Sequence, residues 1–426
     1  MKQYKNITAL IFTAVLLFVA ALSILRFGNF FDPEKKISGI EEAGKSFSEF
    51  TIPKDVRVIG IGEATHGNCE FQTAKKEVLE KVVDCGCGRS ISFELSVGQG
   101  ARINDAIHEN ETDLSDLIST MDYPIYDTQQ IVDLLEWMRE YNHDLPYEES
   151  LMFYGVDMQG AYQSVVYLQQ LCQKGCDFFS KEEAERILSY DTEGSEFIKD
   201  RDFFEALTKR FSAAESLREK QLAVLTNVIL QSADAPNFEK NPGAYGNHRD
   251  NCMALNLQQY SRLEEVRGYS QVVITAHNGH TMKGSSSMGG SDTDLTMGER
   301  INRLFEGSYY SIGTEYYNTI VNIHTAGTFD EKYERLDHSY CSDDPLAYQA
   351  RFFEGGRYCL DLGSIADETS RLYHLLHSPC FFGMIGEGYS PLNDIGKADR
   401  YRIVPADRFD AILYYYDCTP IRPLHY

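Results

Sequence analysis

The chain has 426 residues, 43% of them hydrophobic, and a formal net charge of −24. That length can bury one large core or two modest ones. The acidic balance excludes a nucleic-acid-binding domain and attraction of the body to anionic lipid, and high solubility accounts for it.

Residues 1–26 stand apart. Lys2 and Lys5 precede an apolar run over residues 7–25 that closes at Arg26. A run of that length, at roughly 1.5 Å per residue, nearly crosses a bilayer core of about 30 Å. The two lysines predict a cytoplasmic N-terminus, a single-pass anchor in the cell membrane, and a body outside it. Secretion after signal-peptide cleavage is the rival expectation, but the run passes Ala20 and Ala21 without a small-x-small site. Residues 27–50 read as a juxtamembrane linker and first helix, and residues 51–426 as the body.

Val56, Val58, Ile59 and Ile61 predict a short buried strand that stops at Gly62. Phe71, Ala74, Val78, Leu79, Val82 and Val83 then recur at helical spacing. Between them lie Glu63, Thr65 and His66. A strand running into a helix is the first half of a βαβ unit, and open parallel sheets bind ligands at the loop after the strand. A carboxylate three residues before an imidazole there suits catalysis. A plain helix start, with Thr65 as N-cap, is the competing reading.

Residues 91–95 (ISFEL) predict a second strand with Glu94 at its carboxyl end, followed by helical spacing over 101–142. A third strand over 151–156 ends at Asp157. Residues 161–260 read as helical, broken over 234–245 where Pro236 and Pro242 fall. A fourth strand over 271–276 runs straight into His277, Asn278 and His280, and a Gly/Ser-rich loop covers 284–291. Further strands are predicted over 309–313, 357–360 and 409–416. Near-continuous apolar strands alternating with helices give an α/β class with a mainly parallel sheet. Ten cysteines, including Cys85-x-Cys87 and Cys172-x3-Cys176, match neither a zinc ribbon nor a clear disulfide framework.

If the strands are parallel, Glu63 with His66, Glu94, Asp157, and His277 with His280 emerge on one sheet edge. The sequence holds no G-x-S-x-G elbow, P-loop, G-x-G-x-x-G or H-E-x-x-H. Metal ligation by the two His-containing turns is one alternative. Acid–base chemistry on a bound water is the leading expectation: imidazole takes the proton, a carboxylate sets its tautomer, and N–H donors stabilise an oxyanion.

GEATHG at residues 62–67 resembles the signature turn of the erythromycin esterase family, which also includes proteins labelled as succinoglycan biosynthesis proteins. Phe93-Glu94 with Ile103-Asn104, Trp137-Met138-Arg139 with Tyr141-Asn142, and Tyr154-Gly155-x-Asp157 are similar to further family motifs. So are Arg249-Asp250-x2-Met253-Ala254-x-Asn256, Ala276-His277-Asn278-x-His280 and Phe409-Asp410-Ala411-Ile412, all in family order. The resemblance implies a three-layer α/β/α sandwich with a largely helical portion, here residues 161–260. Family members hydrolyse the lactone ester of macrolides, so it implies an ester or lactone as small-molecule substrate, no metal or other cofactor, and a role in antibiotic resistance. On this resemblance His66 is the general base, Glu63 and Glu94 position water and base, and Arg249, His277 and His280 face the carbonyl. Thr65, Asp157, Asn278, Asp250 and Asn104 support substrate and catalytic groups. Without it, Arg249-Asp250 reads as a helix cap and surface ion pair, Asn104 as packing and Asp157 as a loop-ordering group. His108, His143, His324, His338, His374, His377 and His425 match no motif and read as structural or solvated. Asn68-Cys69 and the loop after His280 depart from the pattern, a difference that bears on the substrate. A surface protein binding a ligand such as haem in the same cleft is the alternative function; an intact Glu63, His66 and Glu94 set favours the hydrolase.

Overall fold

The computed structural model describes residues 12–19, 21, 36–285, 294–325, 335–389 and 400–425. Its strands are β1 (Val58–Glu63), β2 (Gly88–Ser96), β3 (Met152–Asp157), β4 (Gln271–His277), β5 (Tyr309–Thr325), β6 (Arg335–Cys341), β7 (Arg357–Asp361), β8 (Cys380–Gly383), β9 (Gly388–Tyr389), β10 (Arg400–Ile403) and β11 (Ala411–Cys418). The main sheet runs β3-β2-β4-β1-β5-β11-β7, parallel from β3 through to β11, with β7 antiparallel at the edge. β6 pairs antiparallel with the far half of β5, and β9 runs parallel to its end. β8 and β10 form a separate antiparallel pair. The molecule is thus mixed α/β with a mainly parallel central sheet.

Every residue of β1 is buried, and its alternation explains why the run is apolar throughout. Ile59 and Ile61 face a cluster with Phe71, Val78, Leu79 and Phe153. Val58 faces the opposite cluster, with Val156, Leu168, Leu225 and Leu257. In β4, Val273 joins the first cluster and Val272 and Ile274 the second. Successive side chains point to opposite faces, so a strand covered on both sides loses its polar alternation.

The helix Cys69–Asp84 buries all six apolar positions predicted for it. Its N-cap is Asn68, not Thr65. The helical stretch contains Tyr162–Gln173, Lys181–Leu188, Arg201–Ser212, Leu217–Ala233 and Pro242–Val266. Its break is shorter than the prolines suggested. Pro242 opens the last of these helices, where an amide N–H is not needed, and Asn241 caps it by accepting from Ala244 N–H at 3.0 Å.

β5 extends far beyond the predicted residues 309–313, and β6 was not expected at all. β6 is polar and largely exposed, so it leaves no apolar run to read. Cys85 and Cys87 are bonded to each other, and the remaining eight cysteines are free. Within the predicted anchor, residues 12–19 and 21 are helical and exposed; the rest of it lies outside the described residues, as do residues 286–291 of the Gly/Ser-rich loop. Among the described residues no helix is long and apolar enough to cross a membrane.

Candidate active site

Parallel pairing decides where the strand ends meet. In register, Glu63 of β1 lies beside His277 of β4, and Ser96 of β2 beside Asp157 of β3. A Cβ on Gly62 would run into Asn278 and Thr281, so glycine lets the short helix Asn278–Thr281 close onto β1. The helix Pro242–Val266 brings Arg249 and Asp250 over the same edge.

Glu94 is the hub of one network. Its Oε1 accepts from Arg249 Nη2 at 2.6 Å and lies 3.3 Å from His280 Nε2, while its Oε2 accepts from the His277 backbone N–H at 3.0 Å. Burial would raise its pKa, but His280 and Arg249 outweigh burial and hold the carboxyl well below the usual range. Arg249 also donates from Nε and Nη2 to Asp157 Oδ2, at 2.9 and 2.6 Å. His280 Nδ1 lies 2.6 Å from Asp250 Oδ1. Burial disfavours its charge, but Asp250 and Glu94 overcome this and push its pKa up to about 10. His280 is therefore an imidazolium at neutral pH, locked between two carboxylates.

The second network centres on Glu63. Lys75 Nζ lies 2.8 Å from its Oε1, and Gln72 Nε2 donates to its Oε2 at 3.2 Å. The Lys75 ammonium also sits over the rings of Tyr126 and Phe93, 4.7 and 5.1 Å from their centroids. Against burial, Lys75 and then His66 keep the Glu63 carboxyl below its ordinary range. His66 Nδ1 is 3.9 Å from Glu63 Oε2, beyond hydrogen-bond reach, and has no partner.

The rings of His66 and His277 stand 5.0 Å apart, inclined at 46°. The two differ in charge preference. Burial, with His66 and His280 close by, pushes His277 down to about 3. Its Nδ1 accepts from Gly279 N–H at 3.2 Å, so the neutral ring carries its proton on Nε2, which is buried and unpartnered. For His66, burial is outweighed by Glu63, Glu94 and Glu387, and its pKa is raised above 6.5. A cavity of about 350 Å³ opens beside His277 and His280, lined also by Asn247, Asp250, Leu295 and Tyr401. That volume suits a small-molecule ligand.

Six expected residues therefore converge: Glu63, His66, Glu94, Arg249, His277 and His280, with Asp157 and Asp250 behind them. Thr65 and Asn278 sit at the same edge but spend their side chains elsewhere. Thr65 Oγ1 donates to Asn68 Oδ1 at 2.5 Å, and Asn278 Nδ2 donates to Thr314 O at 2.9 Å. Asn104 lies apart, accepting from Phe153 N–H at 3.0 Å and donating to Tyr147 Oη at 2.9 Å. Gln72, Lys75 and Glu387 escaped the sequence reading. Lys75 did leave a trace: a charge four residues after Phe71 and three before Val78, on the buried face of its helix. Among the described residues no group of three or more His, Cys, Asp and Glu side chains is placed to hold a metal ion.

Comparison with known proteins agrees with this architecture. Residues 85–418 match the model of the erythromycin esterase family. The erythromycin esterase type II of Escherichia coli is 23% identical over 316 residues, covering 65% of this chain and 72% of that protein. A crystal structure from Bacillus cereus superimposes with a TM-score of 0.68 at 17% identity, covering 90% of this chain and 97% of that one. A succinoglycan biosynthesis protein gives 0.64 at 16%, over 86% and 89%. A mutant erythromycin esterase, EreC, in its open conformation gives 0.57 at 13%, over 87% and 93%. With a family match across most of its length, the chain belongs to the erythromycin esterase family.

Proposed function

We propose that this protein hydrolyses a carboxylic ester or lactone by direct attack of water, with His66 as general base and no metal. The observation that carries the reading is the division of labour among the site's imidazoles and its guanidinium. Arg249 and His280 are consumed by carboxylates, whereas His66 Nδ1 and His277 Nε2 are buried atoms with no hydrogen-bond partner, on rings 5.0 Å apart. Buried polar atoms left unpaired in a folded protein call for a partner, and a water with a carbonyl group supplies both. Neutral His66 accepts a proton from water as its oxygen adds to the carbonyl carbon. His277 Nε2–H donates to the oxyanion so formed. Collapse of the tetrahedral intermediate breaks the C–O bond, and His66 returns its proton to the leaving alkoxide, giving acid and alcohol. Glu94, Asp157 and Asp250, with the cations Arg249 and His280 between them, form a frame that holds His277 through its backbone.

The wider reading assigns residues 51–426 to one catalytic domain of three layers with a helical portion over 161–260. Residues 7–25 anchor it, with the domain outside the cell. Activity of the full chain on a panel of esters and lactones tests the proposal, with His66→Ala as control. Turnover should persist in EDTA. Inactivation by EDTA reversed by zinc would transfer the same residues to a metal mechanism. No turnover on any ester, with a Soret band on haem titration, would favour a binding protein.

A further inference from the structure

The base has a third carboxylate neighbour, supplied by a segment more than three hundred residues downstream. Ile385 forms a parallel bridge with Thr65, and its N–H donates to Ala64 O at 3.0 Å. Two residues on, the Glu387 backbone carbonyl accepts from His324 N–H at 3.1 Å, and Gly67 O accepts from Asn322 N–H at 3.2 Å. The turn that carries His66 is thus flanked by residues 385–387 and by β5. Glu387 Oε1 is held by Arg335 and lies 3.1 Å from His324 Nε2, while its Oε2 is buried without a partner.

Glu63 on β1 and His277 at the end of β4 lie beside the His66 ring, and Glu94 on β2 and Glu387 are the further charges that act on it. Lys75 stands behind Glu63, Arg249 and His280 behind Glu94, and Arg335 and His324 behind Glu387. Glu94 accepts hydrogen bonds through both oxygens, and Glu63 is held by the Lys75 ion pair and by Gln72. Among the described residues, Glu387 Oε2 is buried with no hydrogen-bond partner and no cation on that oxygen. We propose that Glu387 is a positioning residue that stabilises His66 as an imidazolium once it has taken the proton from water. Its carboxylate is presented by the pairing of Ile385 with Ala64. The neighbouring anion also acts in the direction of the raised His66 pKa. For its kinetic consequence the proposal rests on the hydrolase reading; its electrostatic core does not.

The test is the titration of His66 by NMR in the ¹⁵N-histidine-labelled full chain, its signal assigned by absence in His66→Ala. Glu387→Gln should move the midpoint to lower pH, and Glu387→Asp should restore part of the displacement. Arg335→Gln keeps the carboxylate but removes its neutralising cation, so it should move the midpoint to higher pH. An unmoved midpoint in both charge variants, or displacements of the same sign, would overturn the proposal. So would loss of the folded state in both, which would make the pair a structural clamp. On any ester that the protein turns over, Glu387→Gln should lower kcat and shift its acid limb with the NMR midpoint, leaving KM unchanged. The expected NMR displacements without hydrolysis of any ester would support Glu387 and count against the hydrolase reading alone.

Discussion

At the scale of single residues, the environment rather than residue type separates the three imidazoles. His277 is neutral because burial, with the His66 and His280 rings beside it, opposes its charge, and His280 is charged because two carboxylates claim it. His66→Ala should lower kcat by roughly 10²–10⁴-fold, with the loss mainly in kcat, since proton transfer belongs to the transition state. The pH profile has a definite sign. Base catalysis needs neutral His66, and its pKa is raised from 6.5. The rate should therefore climb with pH through a midpoint above 6.5, and an acid limb at or below that value would contradict the assignment. Lys75 permits a separate check. Replacing it by Met leaves the fully buried Glu63 carboxylate without its cation, and breaking such a pair costs about 3–5 kcal/mol. Urea denaturation of Lys75→Met should show a loss of that order; a stability equal to wild type would mean that Glu63 is not held as a buried anion.

At the scale of elements, the parallel register sets Glu63 beside His277, but the helix Pro242–Val266 determines what the second imidazole can do. Asp250 reaches from that helix to His280 and to the Met297 backbone N–H at 2.9 Å, tying three elements together. The linkage is testable. His280's folded pKa, about 10, lies above its unfolded value, so its contribution to stability is complete below about 6.5 and fades as pH rises through about 10. Asp250→Asn should destabilise the fold at pH 7, and the difference from wild type should shrink above pH 10. A difference that stays constant across that range would remove charge from the explanation. Glu94 works in the opposite direction: its carboxyl is depressed, so its contribution is present at neutral pH and lost as pH falls through its folded value.

At the scale of the whole molecule, the sheet sits between two apolar clusters, and the site occupies the carboxyl edge where parallel strands release their loops. Only the position of this body relative to a membrane turns on residues outside that frame. Lys2 and Lys5 before the apolar run motivate a topology with the body outside. Protease added to intact cells should then degrade the body while leaving cytoplasmic markers whole. A protected body would refute the topology, and a released, shortened body would replace the anchor with cleavage.

The sequence by itself determined the elements whose signal is local. β1, β2, β3 and β4 are legible because burial on both faces makes their runs apolar, and the helix Cys69–Asp84 because its buried positions recur every three or four residues. Glu63, Asp157 and His277 were legible for the same reason, each standing where an apolar run ends, and Glu94 interrupts such a run one residue before its last apolar position. Tertiary structure alone decided which groups pair. Lys75 neutralises Glu63 because the face of its helix turns toward β1, and Asp250 charges His280 across two elements. The segment that carries Glu387 meets the turn through a pairing between residues some 320 apart, formed by backbone groups that carry no residue-type signature. Periodicity records which side of an element is buried. The charge on a buried imidazole depends on what the fold places beside it, and that contact is set by the packing of the whole chain.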